Sequence, residues 1–165
     1  MAMFVHLAAE DQLSRIRRNG IRLGAKRRYG DMPRAVYAMP VTRFFYVSHQ
    51  WLRELKGAHA GSTMAGVYFR IPDKETVWVG HYGQAHQRMS AAEAVGLFAA
   101  SEQREGWEVL IPRRIDAGEI HRTRVLPQII GWRYSPSAKG TRPCACDFCS
   151  KGEYNSKRLR ARLNP

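Results

Sequence analysis

A chain of 165 residues is long enough for one domain with a real core and too short for two ordinary ones. Its hydrophobic share of 44% against 25% charged excludes wholesale disorder, and no apolar run approaches the roughly 20 residues needed to span a bilayer. Lys and Arg number 27 against 14 Asp and Glu, and a net charge of +13 is usually compensated by a polyanionic partner, most often nucleic acid.

The N-terminus, MAMFVHLAAEDQL, has no basic leader and meets Glu10 and Asp11 early, so a cytoplasmic protein is expected rather than a secreted one. Residues 3–7 read as a short buried strand. A helix follows over 9–19, with Leu13 and Ile16 on one face and Arg15, Arg17 and Arg18 on the other. Gly20 stands where a helix terminus needs positive φ. Residues 24–33 form a basic loop in which Lys26, Arg27 and Arg28 are candidates for phosphate contact; a solvated loop is the alternative.

Ala35 to Met39 reads as a β-run ending at Pro40. Thr42 can then cap a helix carrying Phe45, Tyr46, His49, Gln50 and Trp51. A strand tyrosine, Tyr37, beside an aromatic helix makes a flat slot suited to a planar ring, unless these side chains are simply core. Residues 65–71 and 76–80 look like a pair of strands joined by Pro72-Asp73-Lys74-Glu75. His81 to Gln87 is a polar-aromatic cluster, either a substrate loop or a surface loop with no task. Ser90 and Glu93 have capping-box spacing and open a helix to about Gln103, with Ala94, Leu97 and Phe98 inward. Trp107 to Ile111 is a strand closed by Pro112, and residues 119–126 and 129–134 are two further candidates. The class is α+β, with strands outnumbering helices.

Breaking the bond from nicotinamide to ribose develops positive charge on the sugar, which a carboxylate held near the 2′-OH stabilises. Glu108 fits that role, although in isolation it also fits the solvent side of an edge strand. Tyr37 can stack on the nicotinamide, and Phe45 or Tyr46 can cover the ring's second face. His6 can bond the ribose hydroxyls of the adenosine half, or be a strand histidine with ordinary partners.

His6 in the first strand, Tyr37 in the next and Glu108 in Trp107-Glu108-Val109-Leu110-Ile111 follow one another in order. In that order the chain resembles the ADP-ribosyltransferase fold of the His-Tyr-Glu type, which includes poly(ADP-ribose) polymerases and diphtheria-type toxins. The resemblance covers roughly residues 3–115. It implies split β-sheets with a few helices, NAD as co-substrate, Glu108 as the catalytic residue, and His6, Tyr37, Phe45 and Tyr46 as NAD-binding residues. Transferases of this kind are often toxins or defence effectors. Ala8 departs from the pattern where a hydroxyl residue would follow the histidine. Gly106, two residues before Glu108, separates the chain from the Arg-Ser-Glu branch.

Cys144, Cys146 and Cys149 form a C-x-C-x-x-C cluster that suits zinc, completed by a fourth ligand; free thiols are the alternative. The basic run with Lys157, Arg158, Arg160 and Arg162 can lie along phosphates or be a frayed tail. The expected organisation is a transferase-like domain over 1–135 and a small cysteine-containing appendage over 136–165. The expected acceptor is nucleic acid, RNA or single-stranded DNA. A non-catalytic zinc-containing RNA- or DNA-binding module is the alternative, and modification of a protein side chain is a further one.

Overall fold

The computed structural model describes residues 1–24, 33–42, 50–52, 55, 63–102, 104 and 106–126. The chain divides into two compact units, Met1–Val41 with Ala65–Arg124, and Thr42–Met64 with Val125–Pro165. The boundary expected near residue 135 lies outside the described residues. Of the helix expected after Thr42, residues 50–52 and 55 are described, and they are helical.

The strands are β1 (Ala2–Ala9), β2 (Val36–Pro40), β3 (Met64–Ile71), β4 (Thr76–His81), β5 (Gln87–Ser90), β6 (Trp107–Ile111) and β7 (Ile120–Val125). The helices are α1 (Leu13–Asn19) and α2 (Ala91–Ala100), with 3-10 turns at Glu10–Gln12 and Ala117–Glu119. The strands join in the order β5-β4-β6-β2-β1-β3-β7. The pairings β5–β4, β4–β6, β6–β2 and β2–β1 are all antiparallel. The α+β class is as expected; where split sheets were expected, the strand order is continuous.

Successive residues of a strand face opposite sides. On one side, Phe4, Val36, Ala38, Val67, Phe69, Val77, Val79, Val109 and Ile111 join Leu13 and Ile16 of α1 and Ala91 and Ala94 of α2 in one apolar cluster. The Phe4 and Phe69 rings lie 6.1 Å apart, so this contact spans β1 and β3. Gly20 ends α1 at φ 75°, as expected, and packing requires it as well: an added Cβ would sit 2.0 Å from the Ile115 carbonyl oxygen. Ile21 and Ile115 exchange backbone hydrogen bonds at 2.8 and 3.0 Å directly beyond it.

Three expectations are corrected. β3 and β4 are not partners, because they leave their connector into opposite halves of the sheet. The Pro72–Glu75 turn is held by α2 instead, whose first amides, Ala91 and Ala92, donate to the Glu75 and Asp73 carbonyls at 2.8 and 3.0 Å. The Ser90–Glu93 capping box forms, but α2 ends at Ala100 and buries Ala91, Ala94 and Phe98, while Leu97 is 38% exposed. A step of one residue turns a side chain about 100° around a helix, so a face set by 91, 94 and 98 excludes 97. Finally, residues 87–90 form β5, an end strand too short and polar to show an alternating pattern.

Arg113 ties the turn after β3 to the turn before β7. Its guanidinium donates to both Glu75 carboxylate oxygens at 2.8 and 2.7 Å and to both Glu119 oxygens at 2.7 and 2.6 Å. Hydrogen bonds from Arg113 hold the Glu119 carboxyl below its ordinary range, and the two carboxylates push the guanidinium further up.

Candidate active site

The strand order sets β1, β2 and β6 side by side, so His6, Tyr37 and Glu108 stand on three consecutive strands. The β6 strand is interior. It pairs with β4 through Gly80↔Glu108 and His81↔Trp107, and with β2 through Tyr37↔Leu110. The edge-strand alternative for Glu108 is therefore overturned. Trp107, Val109 and Ile111 face the apolar cluster, so Glu108 and Leu110 face the opposite side. Cross-strand partners share a face, which places Tyr37 and Gly80 on that side too. Tyr37 is half-buried, and β2 runs past it to Pro40, where the sequence also places its end.

Glu108 is 4% exposed. Its Oε1 lies 3.2 Å from His86 Nε2, and both side chains are removed from water. His86 Nδ1 lies 2.9 Å from the Gln84 carbonyl oxygen. A carbonyl can only accept, so Nδ1 carries a proton. Nε2 therefore stands at ion-pair distance from the Glu108 carboxylate, in a contact that excludes water from both groups.

The approach of His86 depends on Gly80. A Cβ at Gly80 would lie 3.0 Å from His86 Cγ and 2.8 Å from the Ala85 carbonyl oxygen. The missing side chain directly across from Glu108 is what lets the imidazole in. The β4–β5 connection is also clasped to the start of β6. Tyr82 N–H donates to the Gly106 carbonyl at 2.8 Å, and the His81 and Trp107 rings stand 4.4 Å apart.

His6 Nδ1 lies 2.7 Å from the Tyr37 carbonyl oxygen and donates to it. Burial pushes the imidazole below its ordinary value, outweighing the opposing pull of this bond. His6 is therefore neutral at physiological pH with Nε2 as an acceptor, the state that receives a hydrogen bond from a hydroxyl. His6 alternates with Phe4 and Ala8 onto the side of the apolar cluster, so it stands on the opposite face of the sheet from Tyr37 and Glu108, tied to their strands through the Tyr37 backbone carbonyl.

Phe45, Tyr46, Lys26, Arg27, Arg28, Cys144, Cys146, Cys149, Lys157, Arg158, Arg160 and Arg162 lie outside the described residues. Among the described residues, no group of three or more His, Cys, Asp or Glu side chains could hold a metal, and no helix is long and apolar enough to cross a membrane. His86 as partner of Glu108 is the residue that reading the sequence missed. Its one signal is Gly80 inside a strand run with a histidine shortly after, since such a glycine marks a close approach. No family model, curated protein or solved structure matches the chain.

Proposed function

We propose that the chain is an NAD-dependent ADP-ribosyltransferase whose acceptor is nucleic acid, RNA or single-stranded DNA. The observation that carries this reading is Glu108, a carboxylate buried on an interior strand, turned away from the apolar row and placed beside the strand of Tyr37. The contact with His86 already offsets part of the cost of burying this carboxylate, so what supports a task for it is its place on the same face as Tyr37, away from the apolar row. The glycosidic C–N bond of NAD breaks with its electron pair passing to the nicotinamide nitrogen, which becomes neutral. An acceptor oxygen or nitrogen gives its pair to the ribose carbon and loses a proton. Glu108 stabilises the positive charge on the sugar and fixes the 2′-OH. Tyr37, on the same face of the sheet as Glu108, stacks on the nicotinamide.

The net charge of +13 supports a polyanionic acceptor over a protein one. Zinc held by Cys144, Cys146 and Cys149 belongs to the same reading on sequence grounds alone, and metal analysis of protein made under reducing conditions tests it. The deciding experiment incubates the chain with labelled NAD and separate RNA, single-stranded DNA and protein pools. Nicotinamide release with label on nucleic acid is expected. Nucleic-acid binding with no nicotinamide release would replace this reading with that of a non-catalytic binding module, and label on protein alone would overturn the acceptor.

A further inference from the structure

β7 is the end strand of the sheet among the described residues, and its chemistry is unlike that of the other end strand, β5. Its Arg122 and Arg124 are exposed, two residues apart, and so share a face about 7 Å from one another. The Arg122 guanidinium lies 4.7 Å above the Tyr68 ring of β3. Arg70, two residues beyond Tyr68 on the same face of β3, is exposed. On the other face, Arg17 of α1 donates through Nε to Thr123 Oγ1 at 2.9 Å and also through Nη2. That bond brings the helix to the strand, with Arg18 exposed beside it. Asp116 and Glu119, on the turn before β7, are already paired, with Arg114 at 3.0 Å and with Arg113 at 2.6 Å.

We propose that this edge is where single-stranded nucleic acid binds, through arginines other than those at residues 26–28 and 157–162. It rests on the reading of nucleic acid as acceptor. Arginines on both faces of one end strand suit phosphates that run along it, because a guanidinium recognises phosphate through two parallel donors. A guanidinium already held over a tyrosine ring forms, with that ring, a place for an unpaired base to stack, which suits single strands better than a closed duplex. A charged end strand also deters pairing with other sheets. Deterrence requires charge but no particular partner, so the two roles separate by binding.

The test uses the full chain and a fluorescent single-stranded oligonucleotide with no NAD present, at several salt concentrations. Arg122→Gln with Arg124→Gln is expected to weaken binding at least about tenfold at low salt. It should also lower the slope of log affinity against log salt by about 1.4, at roughly 0.7 per phosphate contact on a single strand. Nicotinamide release by water should stay at the wild-type rate. Wild-type affinity and slope in the double variant would overturn the proposal, as would equal loss of binding to an acidic polypeptide or an anionic vesicle. Should that variant aggregate, Arg18→Gln with Arg70→Gln carries the same expectation on the same edge without altering β7. Absence of nicotinamide release from the wild type would remove the transferase reading and leave this binding result standing.

Discussion

Replacing His86 with leucine tests whether Glu108 is held as a buried charge. The partner atoms are 3.2 Å apart and the two side chains are 0% and 5% exposed, so solvent screening takes little from the interaction. For a charged pair at that separation and an effective dielectric of about 20, Coulomb's law puts the attraction at about 5 kcal/mol. Desolvation of both groups offsets much of it in the intact pair. In His86→Leu the offset remains while the attraction is gone, so a loss of about 3–5 kcal/mol is expected. Replacing both residues, His86→Leu with Glu108→Leu, removes the stranded carboxylate and should recover most of that loss. Urea denaturation of the wild type, both single variants and the double variant completes the cycle. The expected coupling is about 2–4 kcal/mol. A loss within about 1 kcal/mol for His86→Leu, with no recovery in the double variant, would refute a buried ion pair.

Glu108→Gln should leave NAD affinity nearly intact and cut nicotinamide release by at least about a hundredfold, the scale of losing one electrostatic stabiliser; turnover within a few-fold of wild type moves the role elsewhere. Arg113→Met strands Glu75 beside Glu119, and because the guanidinium is 36% exposed, screening limits the expected cost to about 1–2 kcal/mol at neutral pH. Hydrogen bonds from Arg113 depress Glu119, so stability from that carboxylate is present above its ordinary value near 4.5 and is lost as pH falls through the folded value; denaturation midpoints of variant and wild type should converge in acid. Burial depresses His6, so its contribution is complete above the unfolded value near 6.5 and declines as pH falls below it. His6→Gln should therefore flatten the denaturation midpoint between about pH 6.5 and 5, and an unchanged profile would remove His6 from the acid response.

What the sequence determined by itself are the features that arise within a few residues of one another. Gly20 had to end α1, since only a residue without Cβ sits comfortably at positive φ. Ser90 and Glu93 had to cap α2, because their side chains reach each other's backbone across three positions. Trp107 to Ile111 had to be a strand, a β-branched and aromatic run bounded by Gly106 and Pro112. That alternation also set Glu108 off from Trp107, Val109 and Ile111, but it could not say whether water lay on the other side. Tertiary structure decided this by placing β4 and β2 on either side of β6 and bringing His86 over Gly80. It likewise sent β3 and β4 to opposite halves of the sheet, turned Leu97 outward and made β5 from a polar segment. Each of these depends on which distant backbone offers hydrogen bonds and which surface is already covered, and no local pattern of residues carries that information.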